Sequence, residues 1–131
     1  MSRKISNEAV NALWAFRPFC KGNTSVTVSE DGTTAVMALH GNEIARLDVC
    51  PVGWPGSPSG HLPDGRAFTL EISTAGWPTH TTRERLNALA PRSLQVWQAG
   101  DQWVTDGRDE KARRWNQHTR WTTVYGIEAP R

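Results

Sequence analysis

The stretch Trp77-Pro78-Thr79-His80-Thr81-Thr82-Arg83-Glu84-Arg85 gathers residue types that can hold an anion. A helix opening near Thr82 would offer unpaired backbone amides and a partial positive charge in its first turn. Thr81 and Thr82 would add hydroxyls, His80, Arg83 and Arg85 would add donors, and Trp77 a stacking surface, a set that suits a phosphate or a nucleotide. The same residues also have a plainer reading. Thr81 and Glu84 then form a capping box, Trp77 joins the core, and the arginines are solvated.

A second group lies near the end of the chain. Arg108, Lys111, Arg113, Arg114 and Arg120 alternate with Trp115 and Trp121, and Asp109, Glu110 and Glu128 oppose them. Arginine neutralises phosphates and tryptophan stacks on bases, which is the make-up of a single-strand binding surface. Tryptophan and arginine also dominate the hot spots of protein interfaces. A last strand with Trp121 and Tyr125 packed inward would use the same residues, and the three readings stay open.

Catalysis finds less support. There is no Gly-x-Ser-x-Gly elbow, no Gly-rich phosphate loop ahead of a lysine and no His-Glu-x-x-His. His40, His61, His80 and His118 are scattered. Cys20, His40, Cys50 and His61 lack the close Cys-x-x-Cys pairing of structural zinc sites. We therefore expect no enzyme, no metal and no cofactor.

The elements that must position these residues follow from period and punctuation. Ser6 reads as the N-cap of a helix over 6–16, with Ile5 and Val10 as a staple and Val10, Leu13 and Trp14 as its apolar stripe. Pro18 should end it. Alternation over 24–49 predicts a three-stranded meander turning at Asp31-Gly32 and at His40-Gly41-Asn42. Residues 50–66, with four prolines and four glycines, predict an irregular loop long enough to be functional or mobile. A strand over 67–73, a helix over 82–90, and a hairpin with the basic Trp/Arg segment over 93–125 complete the chain. No linker divides it. The expected class is α+β, an antiparallel sheet of hairpins with two short helices, in one domain over 1–131.

The segments Leu39-His40-Gly41-Asn42-Glu43-Ile44-Ala45 and Gly76-Trp77-x-Thr79-x-Thr81-Thr82-Arg83-x-Arg85-Leu86-Asn87 stand in that order around Thr69-Leu70-Glu71-Ile72. Together with the hairpin over 96–103 they resemble small proteins of tailed bacteriophages and prophages. The resemblance covers roughly residues 23–105 without the loop. It implies a phage or prophage origin and action inside a bacterial host, and it transfers no activity. By the same comparison, the loop over 50–66 looks like an insertion, and the N-terminal helix and basic tail look like additions.

Seven tryptophans in 131 residues argue against disorder, and a net charge of +2 is too small for a general duplex binder. No apolar run reaches the length of a membrane span, and the N-terminal segment lacks the apolar stretch of a secretion signal. The bacterial host cytoplasm is the expected compartment, with both cysteines reduced. The expected function is binding and modulation of a host protein or complex, as an inhibitor of a bacterial defence system. The alternative is a binder of nucleic acid or of a signalling nucleotide through residues 77–85 and 108–121. A homodimer is open to it, because unpaired strand edges can pair across a two-fold axis.

Overall fold

The computed structural model describes residues 2–73, 80–90, 93–99, 102–107, 113–115 and 121–129. Helix α1 runs Ser2–Trp14 and α2 runs His80–Leu89. The strands are β1 (Phe19–Lys21), β2 (Thr24–Val28), β3 (Thr34–Leu39), β4 (Asn42–Val49), β5 (Gly60–His61), β6 (Ala67–Ile72), β7 (Leu94–Ala99), β8 (Gln102–Gly107), β9 (Arg113–Trp115) and β10 (Thr122–Val124). Seven of them form an antiparallel sheet in the order β1-β2-β3-β4-β6-β10, with β5 also on β6. The strands β7-β8-β9 form a second antiparallel sheet. The chain is a single α+β domain, as its patterning predicts.

Register explains the main core. Val26, Met37, Ala45, Ile72 and Thr122 stand in one cross-strand row, and Val28, Ala35, Leu47, Leu70 and Val124 in the next. Strand period places both rows on one face. Val26, Ala35, Met37, Ala45, Leu47, Leu70 and Ile72 are almost wholly buried there. Both helices pack on the main sheet, α1 on β1, β2 and β3 and α2 on β4, and they also touch each other. From α1 come Ala9, Val10, Ala12, Leu13 and Trp14, and from α2 come Leu86 and Leu89. The Trp14 ring meets Phe68 edge-on at 5.1 Å, and its indole N–H donates to the Leu89 carbonyl at 2.9 Å. One tryptophan thereby joins α1, α2 and β6.

Local chemistry corrects several expectations. Helix α1 begins four residues before Ser6, so Ser6 is not its N-cap. Its hydroxyl is taken by a long-range partner, described below. The helix ends in a Schellman motif, with Phe16 N–H on Leu13 O and Arg17 N–H on Ala12 O, ahead of Pro18. Phe16 holds the left-handed position at φ 52°, where glycine is usual. In the β2–β3 hairpin Gly32 alone of the pair has positive φ, so Asp31-Gly32 is no two-residue turn. Asp31 Oδ1 instead accepts from Ser29 Oγ, Thr33 N and Thr33 Oγ1, which organises a four-residue loop. At the second turn His40 and Gly41 are both left-handed, as a two-residue hairpin requires.

Helix α2 contains both His80 and Thr81, so it opens before the expected position 82 and Thr81 lies within its first turn. The loop over 50–66 is less irregular than predicted, because Gly60–His61 adds to β6. A Cβ on Gly60 would stand 2.2 Å from the Ile127 carbonyl oxygen, a backbone approach that leaves room for glycine alone. The short strands β1 and β9 were not predicted either; at three residues each they are too brief to show a period.

Candidate functional site

Helix α2 turns Thr82, Arg85, Leu86 and Leu89 to the interior at i, i+3, i+4 and i+7. Arg85 is 1% exposed and is the largest fully buried side chain among the described residues. Its Nη1 donates to Ser6 Oγ at 2.6 Å, and its Nε donates to Thr24 Oγ1 at 3.2 Å. Glu84 Oε1 lies 3.6 Å from Nη1 and 3.5 Å from Ser6 Oγ. Thr24 Oγ1 in turn donates to Asn23 Oδ1 at 2.9 Å. One guanidinium therefore ties α2 to α1 and to β2. Burial lowers the Arg85 pKa from its ordinary value, and the neighbouring Glu84 carboxylate opposes that shift.

Asn87, two residues on, is also architectural. Its Nδ2 donates to Val96 O at 2.9 Å, and its Oδ1 accepts from Val96 N at 2.7 Å. A side-chain amide thus pairs with a strand residue and fixes β7 on α2. The consecutive residues Arg85, Leu86 and Asn87 serve, in order, a polar tie, the core and the second sheet.

The other residues of the anion-site reading are distributed as follows. Thr81 and Arg83 are half-buried on α2, Thr82 is buried, and His80 is the helix's first residue. Trp77 lies outside the described residues. Arg85, whose charge that reading would use, spends two donors on Ser6 and Thr24. The signal for its interior position is present in the sequence, since residues 82, 85, 86 and 89 fall on one helical stripe.

In the basic segment, Arg113, Arg114 and Trp115 form β9, paired in register with Thr105, Val104 and Trp103. Arg108, Lys111 and Arg120 lie outside the described residues. Trp121 precedes β10, and the Arg46 guanidinium stacks over its ring at 5.7 Å from the centroid. No local pattern in the sequence points to this partner, because Arg46 sits on β4, far away in the chain.

The loop between β4 and β5 presents a different surface. Residues 51–57 are all exposed, with Val52 fully so and Trp54 at 38%. This segment carries no charge. Its two feet are fixed: Cys50 N–H donates to Ala67 O and Ser59 N–H to Phe68 O. Ser59 also accepts from Leu70 N at its hydroxyl and from Ile127 N at its carbonyl. Within the loop, Gly56 packs so closely on the Trp54 ring that a Cβ there would stand 2.5 Å from it. The indole is thus laid over its own loop while one part of it remains open to solvent. Among the described residues no cluster of His, Cys, Asp and Glu could hold a metal ion, and both cysteines are free thiols. Burial, aided by Asp48, pushes the Cys50 thiol up from its ordinary pKa.

Residues 2–55 match the model of a family described as Kyanoviridae Gp96 protein, a phage protein family. The matched part comprises α1, β1 to β4 and the loop as far as Pro55. It supports a phage origin for the chain. The N-terminal helix falls inside it, so the helix is part of the matched unit and not an addition to it. Residues 76–87 lie beyond it, and the match says nothing of their pattern. No curated protein and no solved structure matches the chain. Among the described residues no helix is long and apolar enough to cross a membrane.

Proposed function

We propose that this phage accessory protein acts without catalysis, by binding a host protein through the loop over 51–57 and modulating it as an inhibitor of a bacterial defence system. The observation that carries the reading is Val52 and Trp54, exposed on an uncharged loop with hydrogen-bonded feet. Exposed apolar groups of this kind gain roughly 1.5–3 kcal/mol each when a partner buries them. Tryptophan is the residue most enriched among interface hot spots, and an ordered loop loses little entropy on docking. The internal contacts of Arg85 support the same choice, since they remove one cation from the competing nucleotide reading.

Phage carrying Val52→Asp or Trp54→Ala tests the proposal in the host. Plating on a host with its defences intact is expected to fall by at least about tenfold, while plating on a host stripped of them stays at the parental level. Equal plating of parent and variants on both hosts contradicts it.

A further inference from the structure

The face of the main sheet turned away from the helices has its own composition. Thr27, Val36, Arg46, Glu71 and Thr123 form its central cross-strand row, with Thr34, Asp48 and Thr69 on one side and Ser25 and Ala38 on the other. Thr27 is exposed, and the rest keep part of their surface in water, in contrast to the opposite face. The residues are small or hydroxylated, so the face is flat. Its charges come from Arg46 against Asp48 and Glu71, with Glu43 opposite Ala38 at the far edge, and Asp48 already accepts from Thr34 Oγ1 at 2.6 Å.

Arg46 and Glu71 are direct cross-strand neighbours of opposite charge, the arrangement in which a pair ordinarily forms. Among the described residues they form none. Arg46 instead reaches across β6 to stack on Trp121, its Nε is buried without an acceptor, and among the described residues Glu71 has no ion pair or hydrogen bond. A buried donor without a partner is costly, and an unpaired cation beside an unpaired carboxylate is a self-complementary motif.

We infer that a second copy of this chain packs on this face, with each Arg46 set against the Glu71 of the other copy. A two-fold axis between the stacked sheets, running parallel to the strands midway between β4 and β6, exchanges the two charges and keeps the strands of the copies aligned. Aligned sheets pack about 10 Å apart, a gap that arginine and glutamate can bridge. Under that axis β3, β4, β6 and β10 overlap; four strands about 4.8 Å apart, each contributing about five residues, give a footprint of roughly 330 Å² and bury on the order of 800 Å² in total, the size of a weak interface. A polyanion does not suit the surface, because Asp48 and Glu71 outnumber Arg46.

Sedimentation equilibrium and native mass spectrometry of the full chain test the inference. The parent is expected to dimerise, and Arg46→Glu and Glu71→Arg are each expected to weaken the dimer about 100-fold by setting like charges against one another. Mixing the two variants should restore a heterodimer, because each then supplies the charge that the other lacks. That recovery cannot come from a contact within one chain. Val36→Arg, a change on β3 in the same row, should also weaken the dimer and replaces either variant if circular dichroism shows it unfolded. A parent that stays monomeric to about 100 μM overturns the inference. So does a dimer indifferent to these changes, or a mixture of folded variants that yields no heterodimer.

Discussion

Arg85 shows how far a residue's role can depart from its type. Arginine beside a helix start suggests an anion, yet here the guanidinium is a buried joint between α2, α1 and β2. Its acceptors, Ser6 and Thr24, lie 79 and 61 positions away, so no local pattern could pair them. What was legible was the helical stripe through residues 82, 85, 86 and 89. Arg85→Ala leaves two buried hydroxyls without their donor and removes the guanidinium from beside Glu84. It should cost about 3–5 kcal/mol in urea unfolding, and Arg85→Met, which removes the same donors but fills the space, should recover only the part due to the cavity. A loss under about 1 kcal/mol for the alanine variant would show that the contacts carry no stability. Ser6 illustrates the same point in reverse, because a residue suited to capping lies mid-helix to receive Arg85.

At the scale of elements, alternation and turn residues made most of the main sheet readable. Val26, Met37, Leu47, Leu70 and Ile72 alternate cleanly and are the residues that line its core. The hidden features are those set by partners distant in the chain. These include the short strands β1 and β9, the pairing of Gly60–His61 with β6, and the bulge at Ile44 that lets both Ile44 and Ala45 be buried. The β2–β3 loop carries a pH signature of its own. Hydrogen bonds from Ser29 Oγ, Thr33 Oγ1 and Thr33 N, in that order of effect, hold the Asp31 carboxyl below its ordinary value of 3.8. A lowered acid pKa contributes stability that is full above 3.8 and is lost as pH falls through the lower folded value. The Thr33 amide should therefore titrate by NMR with a midpoint below 3.8, and Asp31→Ala should abolish that transition. A midpoint at or above 3.8 would mean that the loop's hydrogen bonds do not favour the carboxylate.

For the whole molecule, the helices cover one face of the main sheet, and two of the three large apolar side chains exposed among the described residues, Val52 and Trp54, stand on a loop at its β4–β5 corner, the third being Trp97 on β7. Of the candidate site, the loop itself was legible from its prolines and glycines, but the fixing of its feet was not. That depends on Ser59 meeting Ile127 across the chain. The phage family match ends inside this loop, at Pro55. The most direct test of the account places a photo-crosslinking amino acid at position 54 of the full chain, expressed in host cells and irradiated during infection. One host polypeptide is expected to join the protein through that position, and to be lost when Val52→Asp is added. Crosslinks that do not respond to Val52→Asp, or no host protein at all, would contradict it.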